Sequence, residues 1–201
     1  NKEVLRKHFN EFGAFVLKPC ISAAAKDTFL VSSLESIETL EDANGKVEGD
    51  MEDWRAGRGF MIQPFIKSIK SFGEWSLVFL NGEYSHSVRK IPKSGEWLVQ
   101  DELGGSVRWE EAPQNIVDKA KIAVNAIQPA YESATSNKLS KPPLYARIDL
   151  LIADDGSPLL GEIEMVEPEL FFKMREPEET VGFEPAIEYF SKQLEDRHNQ
   201  I

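Results

Sequence analysis

The sequence predicts an α+β protein. Three observations carry that reading: an Asn81-Gly82 pair between two β-rich arms, a second turn signal at Asp155-Gly156 between apolar arms, and amphipathic helical periodicity set apart from both. Hairpins pair neighbouring strands antiparallel, and helices that do not alternate with strands argue against a parallel sheet.

Taken in order, NKEVLRKHFNEFG places Val4, Leu5, Phe9 and Phe12 at helical spacing and stops at Gly13. AFVLKP reads as a short strand ended by Pro19, and ISAAAKDTF as a loop of small residues. FLVSSLESIETLEDA fits helix or strand, both with a polar face. NGKVEGDMEDWRAGRG reads as a charged loop, and FMIQPFI as a buried strand interrupted by Pro64. GEWSLVFLNGEYSHSVRK is the first hairpin, and KIPKSGEWLVQDELGGSVRW a further strand-and-loop region. QNIVDKAKIAVNAIQPAYESA is an amphipathic helix, YARIDLLIADDGSPLLGEIEMVEPELF the second hairpin, and EPAIEYFSKQLEDRHNQI a closing helix.

The 201 residues suffice for one domain or two small lobes, and 41% hydrophobic with 28% charged residues is ordinary for a folded chain. A net charge of -11 argues against the nucleic-acid backbone as partner. It leaves room for a phosphorylated small molecule, because a divalent cation reverses the local sign. The single cysteine, Cys20, makes no internal disulfide, and no apolar run approaches a membrane span. A cytoplasmic fragment is expected, with an upstream part missing, since the chain opens on Asn1 and enters a helical pattern at once. No nucleic-acid or membrane partner is expected; an upstream lobe or a second copy of the chain is left open.

The second hairpin carries the chemistry. With Asp155 and Gly156 as its two central turn residues, Asp149 falls opposite Glu162 and Arg147 opposite Glu164, all on one face. Ala146, Ile148, Leu150, Ile163 and Met165 take the other face, which suits a core. Like charges directly opposite one another destabilise a sheet, and a hard cation relieves them. Magnesium fits carboxylate oxygens and commonly shares its site with a nucleotide. A merely hydrated polar face accounts for the same hairpin equally well. In the first hairpin, a two-residue Asn81-Gly82 turn places Glu74 opposite Arg89 and Ser76 opposite Ser87. Trp75, Leu77, Phe79, Tyr84 and Val88 then form the apolar face, on which His86 also falls as a structural residue. Ion pairing of Glu74 with Arg89 at the surface is the plain alternative to a functional role.

These pieces, in this order across essentially the whole chain, resemble the ATP-grasp superfamily. The likeness is strongest to its glutathione-synthetase-like and cycloserine-biosynthesis cyclo-ligase-like branches. It rests on NKEVLRKHF, VLKP, MIQPFI, GEWSLVFLNGEYSHSVRKIP, QDELGG, YARID and LLGEIEMVEP together. The resemblance implies two α+β lobes, residues 1–66 and 67–201, with ATP between them. It implies a magnesium-dependent, ADP-forming ligase that joins a small-molecule carboxylate to an amine or similar nucleophile through an acyl phosphate. A non-catalytic nucleotide- or partner-binding module on the same fold is the alternative.

Position by position, Lys2 and Lys18 match lysines that contact phosphates, and Ser22–Asp27 matches the flexible phosphate cover, here with Ala23, Ala24 and Ala25. Gln63, Pro64, Phe65 and Ile66 match the adenine hinge, with Ile66 the expected N–H donor because Pro64 has none. Glu74 matches the ribose-binding acid. Asp149, Glu162 and Glu164 match the metal ligands for one or two magnesium ions, with manganese as an alternative. Arg147 and Arg89 match arginines facing the transferred phosphoryl group and the substrate carboxylate. The Gly104-Gly105 loop is expected to close over the substrate. Trp97, Trp109 and Cys20 are expected to pack.

Overall fold

The computed structural model describes residues 2–22, 25–39, 59–99, 104–139, 141–172 and 184–198. Outside them lie Ala23 and Ala24 of the phosphate cover, residues 44–58 of the charged loop and residues 100–103 of the QDELGG stretch. The chain divides into two compact units, Asn1–Lys67 and Ser68–Ile201.

In the first unit, α1 (Lys2–Phe12) ends at Gly13, whose positive φ of 75° and N–H bond to the Phe9 carbonyl at 2.8 Å close the helix. β1 (Phe15–Pro19) is the centre of a three-stranded antiparallel sheet between β2 (Phe29–Val31) and β3 (Phe60–Pro64). The stretch that fitted helix or strand is both. Ser33 Oγ accepts the Ser36 N–H at 3.1 Å, which starts α2 (Leu34–Thr39) just beyond β2. Leu5, Phe15, Leu17, Phe29, Val31 and Ile37 form this unit's core.

In the second unit, β4 (Glu74–Leu80), β5 (Glu83–Ile91), β6 (Ser106–Trp109), β7 (Tyr145–Ile152) and β8 (Pro158–Glu164) form an antiparallel sheet in the order β6-β5-β4-β7-β8. A short α3 (Ile69–Phe72) precedes β4, and a closing helix, here α5 after the long α4, spans Glu184–His198. One face of the sheet is sealed by α4 (Gln114–Thr135), whose Ile116, Val117, Ala120, Val124 and Ile127 pack on Trp75, Leu77, Phe79, Ala146, Ile148 and Leu150. The valine, leucine, isoleucine and phenylalanine side chains each contribute roughly 1.5–3 kcal/mol by leaving water, and the alanines less. The α+β expectation therefore holds, and the apolar stripe of α4 is the side that meets the sheet.

Two hairpins depart from the simple turns read in the sequence. In β4–β5, Ser85 is surplus: Phe79 pairs with Tyr84 but Val78 pairs with His86. Every partner beyond it is displaced by one, so Glu74 lies opposite Lys90, not Arg89, and Ser76 opposite Val88, not Ser87. A bulge of one residue exchanges the faces of all later residues relative to an unbroken ladder. Val88 and His86 consequently leave the α4 side and join Val78, Leu80 and Phe171 on the opposite face.

In β7–β8 two departures cancel. The loop has three residues, Asp154–Gly156, closed by Ala153 and Ser157, and Gly156 takes a φ of 83°. Gly161 is then surplus in β8, so Leu150 pairs with Leu160 while Asp149 still meets Glu162 and Arg147 meets Glu164. Met165, expected in the core, follows the end of β8 and is exposed.

Candidate functional site

The face of the second sheet away from α4 is apolar toward the hairpin turn of β4–β5 and charged at the other end of β4. The charged end is built by strand pairing alone. Ser76 of β4 lies opposite Asp149 of β7, Asp149 opposite Glu162 of β8, Arg147 opposite Glu164, and Glu74 opposite Lys90 of β5. Arg147 and Asp149 are two apart on one strand and so share this face.

Asp149 is the centre. Only 3% exposed, it receives Arg147 Nε at 3.0 and 3.1 Å and Nη2 at 2.9 Å, and the Ser76 hydroxyl donates to Oδ1 at 2.6 Å. Lys90 Nζ lies 3.7 Å from the other oxygen, Oδ2, and donates to Glu74 Oε1 at 3.0 Å. Arg147 also pairs with Glu164. Burial by itself would raise the Asp149 carboxyl, but Lys90, Arg147 and the Ser76 bond outweigh it and hold it below the usual range. Glu74 goes the other way: burial, then the neighbouring Asp149 charge, push it up despite Lys90. Glu164 is also raised, by burial first, against the pull of Arg147. Neighbouring carboxylates with opposed shifts are a frequent mark of functional sites.

Arg89 does not join this group. Its displaced register turns it to the α4 side, where Nε donates to the Phe72 carbonyl at 2.7 Å, Nη1 lies 3.3 Å from Glu110 Oε1 and the guanidinium stacks 5.5 Å from the Trp75 ring. Lys90 takes the place on the site face. Sequence reading missed Lys90 because of the bulge at Ser85, for which YSHSV gives no local signal, and missed the Ser76 contact with Asp149 because that depends on β4 lying beside β7. His86 is structural, as expected: its Nε2 donates to the Leu170 carbonyl at 2.8 Å and its ring stacks on Trp109 at 5.0 Å.

The donor set suits a hard cation, since all three predicted ligands are carboxylates on one face. As placed, however, Asp149 and Glu164 turn their oxygens to Arg147. Among the described residues no three acidic, histidine or cysteine side chains converge as a ligand set. A metal ion there would compete with Arg147 for these carboxylate oxygens.

In the first unit Lys2 Nζ donates to the carbonyl and carboxylate of Glu38, each at 3.0 Å. Lys18 lies half-buried in β1 opposite Met61, and Gln63 lies opposite Val16. The Phe65 N–H is committed to the Ala14 carbonyl at 2.9 Å. Pro64 and Phe65 therefore offer no free N–H, which leaves Ile66 as the expected donor of the hinge. Cys20 is exposed rather than packed, with Gly59 close to its sulfur.

No family model matches the sequence. The chain is 31% identical over 119 residues to the cycloserine biosynthesis protein DcsG of Streptomyces lavendulae, a match covering 57% of this chain and 36% of that protein. The crystal structure of the D-cycloserine synthetase DcsG superposes with a TM-score of 0.65 at 23% identity, over 96% of this chain and 60% of that one. The ATP-grasp ligase PsnB, complexed with a precursor variant, Mg and ADP, gives 0.59 at 13% identity over 96% and 50%. A D-alanine–D-alanine ligase from Bacillus anthracis gives 0.54 at 17% over 94% and 55%. The chain thus spans only part of each protein it resembles. Superposition on ATP-grasp ligases over nearly the whole of its length leads to one conclusion: the chain carries the ATP-grasp fold, and its sequence resembles the cycloserine-biosynthesis branch.

Proposed function

We propose that the chain is the nucleotide-handling part of an ATP-dependent ligase that joins a carboxylate to an amine-like nucleophile and releases ADP. The single observation that supports this most is the Asp149 network. A largely buried cluster of Asp149, Glu74, Arg147 and Lys90 is costly to assemble for stability alone, because desolvating charges offsets most of their attraction.

In this reading, a substrate carboxylate oxygen attacks the terminal phosphorus of ATP. The bond from that phosphorus to the bridging oxygen breaks, and ADP leaves with its electron pair. The nucleophile's nitrogen then adds to the acyl carbon and loses a proton, and phosphate departs. Arg147 offers N–H donors to oxygens that gain charge, an effect worth several kcal/mol when such donors are held in place. Lys90 serves on the site face in the role the sequence suggested for Arg89. Asp149, Glu162 and Glu164 would hold magnesium, which when bound draws off charge from phosphate oxygens. Glu74 would accept the ribose hydroxyls. In the first unit, Lys2 and Lys18 would contact phosphates as point charges, and Ile66 would donate its N–H to adenine.

The test is ADP formation from Mg-ATP across a panel of amino acids and related carboxylates, with hydroxylamine present to trap activated acyl groups. Carboxylate-dependent ADP and a hydroxamate are expected. Calorimetric failure of the folded protein to bind Mg-ATP would overturn the reading.

A further inference from the structure

The residues after β8 turn back over the charged face of the sheet, and they do so under unusual constraint. Tyr145 Oη donates to the Val166 carbonyl at 3.1 Å, and His86 Nε2 donates to the Leu170 carbonyl at 2.8 Å, so the return segment is tied at two points. A carbonyl only accepts, so the His86 proton sits on Nε2, and Nδ1 receives the Ser85 hydroxyl at 2.9 Å. Phe172 lies against the His86 ring at 5.5 Å and meets Phe190 of α5 at 6.0 Å.

Between these anchors sits Phe171, 4% exposed and with a φ of 55°. A bulky residue adopts this left-handed conformation only where its surroundings hold it there. The ring packs with Val78, Leu80 and Val88 and extends beyond them over both cations of the site: Lys90 Nζ is 5.6 Å from its centre, and Arg147 Cζ 5.9 Å. An apolar ring could have satisfied the core by covering the valines alone. Instead it lies over two largely buried cations that also pair with Glu74, Asp149 and Glu164, and a ring face attracts cations.

We propose that Phe171 is a positioning residue: its ring roofs Lys90 and Arg147 and fixes both beside Asp149, with His86 and Tyr145 anchoring the segment that carries it. Its bearing on catalysis rests on the ligase reading above; the positioning itself does not.

The test compares Phe171→Leu, which keeps apolar bulk but removes the ring face, with Phe171→Tyr, which keeps the ring. In the unaltered protein the Arg147 Nε–H resonance should show an upfield ring-current displacement and slow exchange with water. Phe171→Leu should abolish the displacement and speed exchange on the order of tenfold, and Phe171→Tyr should retain both. ADP formation at saturating ATP should fall in Phe171→Leu while the KM for ATP holds. An Arg147 signal without ring displacement in the unaltered protein, or unchanged exchange in Phe171→Leu, overturns the proposal. Should the Arg147 signal respond as expected while the unaltered protein turns over no ATP with any carboxylate, the positioning stands and only the ligase reading falls.

Discussion

Ser76 and Asp149 face one another across neighbouring strands, and the serine hydroxyl donates a 2.6 Å hydrogen bond to a carboxylate that water scarcely reaches. Ser76→Ala leaves Asp149 one donor short in a buried site, which costs about 1–3 kcal/mol. A urea midpoint lowered without change in slope is the expected result. An unchanged midpoint would mean that Arg147 and Lys90 satisfy Asp149 unaided.

Of the predicted metal ligands, Glu162 gives the cleanest test because it is exposed and its loss leaves the Arg147–Asp149 pair in place. Glu162→Gln should keep the thermal midpoint and lose magnesium-dependent ATP binding in calorimetry. Asp149→Asn removes the buried partner of Arg147 as well, and breaking such a pair costs about 3–5 kcal/mol. Its effect on ATP turnover must be read alongside a denaturation curve.

Lys90 and Arg89 are adjacent in sequence but sit on opposite faces. Lys90→Met strips Glu74 and Asp149 of a shared cation and should lower stability by about 3–5 kcal/mol. Arg89→Met removes a part-exposed ion pair and a ring contact, together worth about 1–2 kcal/mol. Nucleotide turnover should be lost in the first variant and kept in the second. The reverse pattern would restore Arg89 to the site.

Burial lowers the His86 imidazole below its ordinary 6.5. Between the unfolded and folded values, the unfolded chain binds the proton that the folded one refuses. Stability is therefore full above pH 6.5 and falls as the pH drops through that value toward the folded one. His86→Phe should flatten this part of the curve. Equilibrium unfolding at pH 7.5 and 5.5 measures it, and an unaltered slope in the variant would remove His86 as the cause.

Gly73 takes a φ of 69°, and a Cβ there would stand 2.1 Å from the Lys90 carbonyl oxygen. Gly73→Ala must push β4 and β5 apart where Glu74 meets Lys90. A loss exceeding about 2 kcal/mol is expected from strain and clash together. A variant as stable as the parent would show that β5 yields there at little cost.

How far the sequence could be read depended on what kind of information each feature needs. The α4 stripe from Ile116 to Ile127 is a repeat of apolar side chains, so the helix was legible directly, and strand alternation gave the sheet face that Ala146, Ile148 and Leu150 turn toward it. The pairings of Asp149 with Glu162 and Arg147 with Glu164 were also legible, though through two compensating errors, a longer loop and the surplus Gly161. Lys90 was not legible. Its face is fixed by whether Ser85 is accommodated inside or outside the ladder, a choice made by the packing of His86 against Trp109 and Leu170 far away in sequence. Phe171 was hidden for a related reason: its left-handed backbone is imposed by tertiary anchors and has no signature in VEPELFF.

Because Ser85 already stands outside the β4–β5 pairing, that hairpin holds one residue of slack. Excising Ser85 would straighten the strand and leave each partner from Val78 to Glu74 where it is, so the loss is absorbed locally. Adding a residue meets no such reserve: it must open a second kink or carry Lys90 out of reach of Glu74. Length variation at this hairpin should therefore be lopsided, shorter forms surviving where longer ones fail.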